Sequence, residues 1–208
     1  MHDTLEHQPA KPDHECLFRA ASQQGGYFTS RDAGACGFSR ASLSYHARRG
    51  RFVRVHRGLY RLREYPESTR EDVIAAWLAA GRDHAVVSHE SALDLLGLSD
   101  AVPDSVHLTL PRTMRYRPAM PGLTVHTTTR PLDAGDVMTR DGIRVTSVVR
   151  SILDAAEAGT APEQVVAAVR EALDRGMTTR ARVSGAARSR SQRVQRLIQN
   201  AIAGESEE

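Results

Sequence analysis

The stretch His46–Arg63, HARRGRFVRVHRGLYRLR, packs seven arginines and no acid into eighteen residues. Guanidinium groups concentrated this way are either a solvated surface face or a site for a polyanion such as a phosphate backbone. Two other stretches carry reactive types. Ser88–Ser91, SHES, sets a hydroxyl, an imidazole and a carboxylate side by side. Sequence neighbours point in different directions, so they cannot form a nucleophilic triad with one another. His89 reads as a helix-start residue. Asp133 and Asp136 are spaced to share a cation, but no further carboxylate or histidine is arranged around them. The chain has no phosphate-binding glycine loop, no CxxC and no HExxH. The paired glycine–serine and aspartate pattern of nucleotidyltransferases is missing as well. The expectation is a protein that is not an enzyme, with no cofactor and no metal.

The elements around the arginines give them a shape. A helix fits Glu15–Gln24, stopped by Gly25 and Gly26, and YFTS follows as a short extended piece. Thr29 or Ser30 caps a short helix over Arg31–Ala35, ended by Gly37. Ser39 caps a second helix over Arg40–Arg49, ended by Gly50. Phe52–His56 and Leu59–Arg63 then read as two strands about Arg57-Gly58. Two short helices and a hairpin, in this order, describe a winged helix-turn-helix. With Leu43 at the buried centre of the second helix, Ala41, Ser44, Tyr45 and Arg48 face outward, flanked by Ser42 and Arg49. In the hairpin, Val53, Val55, Tyr60 and Leu62 are expected to face the core. Arg54, His56, Arg61 and Arg63 are left for the other side.

Charge divides the 208 residues. Residues 14–65 carry ten arginines against three acids, whereas residues 66–175 carry eleven against sixteen. The last 33 residues carry six arginines against three acids. The expected organisation is a disordered leader over 1–13, a basic winged helix-turn-helix over 14–65, a mixed α/β domain over 66–176 and a basic helical tail over 177–208. The second domain reads as a helix over Arg70–Ala80, a strand and helix in VVSHESALDLLGL, and strands SVHLTLP and LTVHTTT about a proline-rich loop. GIRVT and a further helix follow. Helices over Pro162–Arg175 and Arg190–Ala203 close the chain. The longest apolar run, Val73–Ala80, is too short to span a bilayer. Cys16 and Cys36 read as two reduced thiols in a cytoplasmic protein.

The run GYFTSRDA…FSRASLSYHARRGRFVRVHRGLYRL, with HESALDLLGL, VHLTLPR and DGIRVTSVVRSILDAA, resembles the AbiEi-type antitoxins of type IV, abortive-infection toxin–antitoxin systems. The resemblance spans roughly residues 15 to 176. It implies an N-terminal winged helix that binds double-stranded operator DNA, followed by an antitoxin domain. It also implies repression of the chain's own operon and antagonism of a nucleotidyltransferase-like toxin, with or without direct contact, by a monomer or a DNA-induced dimer. The expected DNA-binding residues are Ser39, Arg40, Ser44, Tyr45, Arg48, Arg49, Arg51, Arg54, Arg57 and Arg61. Arg51, Arg54, Arg57 and Arg61 would hold phosphates, and Ser44, Tyr45 and Arg48 would meet base edges. The alternative reading is a stand-alone regulator whose C-terminal domain senses a ligand or binds another protein.

Overall fold

The computed structural model describes residues 11–114 and 121–203. Most of the expected leader, part of the proline-rich loop and the end of the tail lie outside these residues. The chain divides into two compact units, Met1–Ala79 and Ala80–Glu208.

The first unit runs α1 (His14–Ser22), β1 (Tyr27–Thr29), α2 (Ser30–Ala35), α3 (Arg40–Arg48), β2 (Phe52–His56), β3 (Leu59–Leu62) and α4 (Glu71–Ala80), whose last residue is across the division. Its caps are written in the sequence. Asp13 accepts from Glu15 and Cys16 at the head of α1. Thr29 and Asp32 form a reciprocal capping box on α2. Ser39 accepts from the Ser42 amide to start α3. The strands make an antiparallel sheet in the order β1-β3-β2. Leu17, Phe28, Ala33, Phe38, Leu43 and Phe52 form the core beneath it. Gly26 is needed between α1 and β1: its φ is 85°, and a Cβ there would fall 2.4 Å from the Tyr65 ring.

Three expectations change here. Cys16 and Cys36 are joined in a disulfide, with Cα atoms 5.7 Å apart, and are not free thiols. Their twenty-residue separation hid that α1 and the end of α2 meet. In the hairpin, Tyr60 and Leu62 of β3 face the core as expected, but the parity of β2 is the reverse of that expected. Phe52 opposes Leu62 and Arg54 opposes Tyr60, so Phe52, Tyr60 and Leu62 share the core face, with Tyr60 stacked on Phe28. Val53 opposes Arg61 on the other face, and Val55 is exposed. The boundary expected at Pro66 moves by one helix, because α4 belongs to the first unit.

The second unit contains β4 (Val86–Val87), α5 (His89–Leu95), β5 (Val106–Pro111), β6 (Leu123–Thr128), β7 (Val137–Arg140), β8 (Ile143–Thr146), α6 (Val148–Ala158), α7 (Pro162–Asp174), α8 (Arg180–Ala187) and α9 (Gln192–Ala203). Its mixed sheet has the order β6-β5-β4-β8-β7. β5–β6 and β4–β8 are parallel, and the other two pairs are antiparallel. The fold class is therefore α+β, a winged helix followed by a mixed α/β unit. α8 and α9 pack into this unit through Val183, Ala187, Val194, Ile198 and Ala201, so the described part of the tail is a piece of the core. Arg190 and Arg193 direct their donors onto Asp154 and the last carbonyls of α6. Among the described residues no helix is long and apolar enough to cross a membrane.

Candidate nucleic-acid interface

Leu43 and His46 are the residues that α3 buries. The His46 ring meets Phe38, Phe52 and His14 at centroid distances of 5.0–5.8 Å. Burial, then the charges of His14 and Arg51, hold its pKa below the ordinary histidine value, so the ring anchors α3 as a neutral imidazole. The opposite face presents Arg40, Ala41, Ser44, Tyr45, Arg48 and Arg49 to solvent. Tyr45 is 48% exposed, and the Arg49 guanidinium lies 5.6 Å from its ring centroid. This cation–π contact narrows the orientations available to both side chains.

Gly50 turns the chain from α3 into the wing, with the Arg51 amide donating to the His46 carbonyl. Arg63 Nε–H donates to the Gly50 carbonyl and so ties the far strand to the helix end. Arg51, Arg54 and Arg57 are exposed. With Arg40 and Arg48, they form no ion pair among the described residues. Between Ala33 and Arg63 there is no acid, and Asp32 is buried in its capping box. Among the described residues, the helix face and the wing are thus cationic with no acid paired to these five arginines.

Arg61 does not belong to this surface. Its side chain is only 11% exposed. Nη2 lies 2.6 Å from Glu71 Oε1 and also donates to the carbonyls of Tyr65 and Pro66. The guanidinium sits 5.8 Å from the Tyr27 ring centroid, and the Tyr27 hydroxyl donates to the other Glu71 oxygen at 3.1 Å. Burial and the neighbouring carboxylate push the Tyr27 pKa up to about 12. Burial alone would raise the Glu71 pKa, but hydrogen bonds from Ser68, Arg61 and Tyr27 outweigh it and hold the carboxyl below its usual range. This network joins the wing to the head of α4, where a carboxylate is also favoured by the helix dipole. Arg61 is structural, and no phosphate is assigned to it.

The other reactive stretches resolve locally. Glu90 accepts from Thr160, and the Ser91 hydroxyl is engaged with Ser105 and His107, so SHES assembles no triad. Asp133 Oδ1 accepts from the Gly135 and Asp136 amides, closing a turn, while Asp136 faces Arg150 at 3.4 Å. What sequence reading missed is the company His89 keeps. It does open α5, yet its ring lies with those of His107 and His126, which are remote from it along the chain.

The fold and the bare cationic face define a winged helix-turn-helix protein with a second, α/β unit. Residues 17–63 match the family described as "Transcriptional regulator, AbiEi antitoxin". The match runs from within α1 to just past β3, the stretch that carries the interface, and supports a DNA-binding transcriptional regulator or antitoxin. No curated protein matches the chain. The crystal structure of the RV2827C protein from Mycobacterium tuberculosis is similar, with a TM-score of 0.59 and 17% identity. The alignment covers 89% of this chain and 75% of that one. At that identity the likeness concerns the fold, and it extends through both units.

Proposed function

We propose that the chain is a DNA-binding antitoxin that represses its own operon and counteracts a nucleotidyltransferase-like toxin in the cytoplasm. One observation carries this reading. The outward face of α3 and the wing carry no acid and, among the described residues, Arg40, Arg48, Arg51, Arg54 and Arg57 form no ion pair, on the segment that matches the AbiEi antitoxin regulators. In this reading α3 enters the major groove, with Ser44, Tyr45 and Arg48 at base edges. Arg51, Arg54 and Arg57 rest on phosphates, and Ser39, Arg40 and Arg49 flank them. The second unit acts on the toxin, and no step is catalytic.

The two roles are expected to separate between Ala79 and Ala80, where the units divide. Residues 1–79 retain Glu71 and hence the network that steadies the wing; a fragment ending at residue 65 would lose it. With the toxin co-expressed, residues 80–208 should restore growth without repressing the promoter. Residues 1–79 should bind the promoter without restoring growth. Rescue by residues 1–79 alone would show that repression is the whole antitoxin activity.

A second reading, a regulator with a ligand-sensing domain, is favoured by a cavity of about 610 Å³ in the second unit. Arg150, Arg182 and Arg190 line it together with Thr178, whose buried hydroxyl has no hydrogen-bond partner among the described residues. A small anion that changes operator affinity through this cavity would favour that reading over toxin antagonism.

A further inference from the structure

The parallel register of β5 and β6 pairs His107 with Thr124 and Thr109 with His126, so His107 and His126 project from the same face of the sheet. His107 Nδ1 and His126 Nε2 are 3.1 Å apart. The His89 ring, at the first residue of α5, stacks on His126 with centroids 3.4 Å apart. One ring nitrogen from each of the three lies within 4.8 Å of the other two. His89 holds this place with a φ of 54°, a left-handed backbone that a residue with a Cβ adopts only at a cost. This backbone turn delivers the His89 ring into the cluster at the head of α5. The inference reaches beyond the DNA-binding reading and does not depend on it.

We infer that His89, His107 and His126 form a binding site for one divalent transition-metal ion of the zinc type, with water as the fourth ligand. Metal–imidazole bonds of about 2.0–2.1 Å in a tetrahedral site separate two ligand nitrogens by roughly 3.3 Å, close to the His107–His126 distance. A tilt of the His89 ring out of its stack, with Nδ1 kept on the Ser88 hydroxyl, would turn Nε2 toward the other two. Its tautomer is provided for. The Ser88 hydroxyl oxygen accepts from Thr109 at 2.8 Å and lies 2.9 Å from His89 Nδ1. An Nδ1–H donated there leaves the Nε2 lone pair for the ion, as outer-shell partners of metal-bound histidines do.

The donor set selects the ion. Three imidazoles and no carboxylate suit zinc, cobalt, nickel or copper and do not suit magnesium or calcium. The nearby acids are committed elsewhere, Glu90 to Thr160 and Asp154 to Arg150 and Arg190. His107 and His126 are half-buried, which gives the ion an approach from solvent. A bound ion would fasten α5 to β6, an end strand of the sheet.

The test uses the untagged, metal-free full chain titrated with Co²⁺ and then Zn²⁺. One equivalent per chain is expected, with a tetrahedral cobalt spectrum that zinc abolishes. His107→Ala with His126→Ala should weaken binding by more than the roughly 10–100-fold that losing an outer-shell partner costs. Ser88→Ala should fall within that range. The extended X-ray absorption fine structure of the zinc-loaded wild-type protein, which requires no variant, should show three imidazole nitrogens. No stoichiometric uptake, fewer than three imidazoles, or uptake unchanged in the double variant and so owed to the other histidines, would each overturn the proposal.

Discussion

Arg54→Glu combined with Arg57→Glu should weaken binding to operator and random DNA alike, by roughly 100-fold or more at moderate salt. Both side chains are exposed on the wing and neither has an ion pair among the described residues, so their loss leaves the fold unstrained. Phosphate contacts carry no sequence information, and for that reason the loss should be uniform. Arg48→Ala is the contrast. It lies on the outward face of α3, and if it reads a guanine its loss lowers discrimination against random DNA by about 1–3 kcal/mol. Anisotropy titrations on the two DNAs separate these outcomes. An unchanged affinity in the double variant would remove the wing from the interface.

Arg61→Ala is expected to behave in the opposite way, lowering stability and leaving the electrostatics of DNA binding intact. Removing one partner of a buried pair costs about 3–5 kcal/mol, and the partial exposure of Glu71 reduces this to about 2–3 kcal/mol. For a unit of this size that is a fall in melting temperature of roughly 10–20 °C. The sign with pH follows from Glu71. Its carboxyl is held low in the folded state, so its contribution is present above the unfolded carboxylate pKa and is lost as the pH falls through the folded one. Thermal denaturation at neutral and acid pH, alongside the salt dependence of binding, checks both halves. A variant with wild-type stability and weakened DNA binding would return Arg61 to the phosphate-binding set.

The contrast between Arg54 and Arg61 marks what the sequence could reveal. The order of helices and strands was legible because it is set locally: Ser39 caps α3, Thr29 and Asp32 cap α2, and Gly58 turns the wing. The pleat was not legible. Val53 and Val55 suggest one parity of β2 and Phe52 suggests the other; the packing of Phe52 on Phe28 decides between them. Arg61 looked like its neighbours because Glu71 lies beyond the proline-bearing junction, on a helix that charge assigned to the next domain. α8 was missed for want of an amphipathic stripe, since it buries only Val183 and Ala187. β7 lies at the far edge of the sheet from β6, with three of its four residues exposed. The histidine cluster was hidden by distance along the chain, and parallel pairing of β5 with β6 is what assembles it.

The central claim is that the acid-free face of α3 and the wing binds DNA through its arginines. It is tested most directly by the salt dependence of binding between the full chain and its own promoter. Phosphate contact by Arg51, Arg54 and Arg57, with the flanking Arg40 and Arg49, predicts that log K falls with log salt at a slope between about −3 and −5 per protomer, at about 0.9 per phosphate. A slope near zero, or no binding at low salt, would contradict the account.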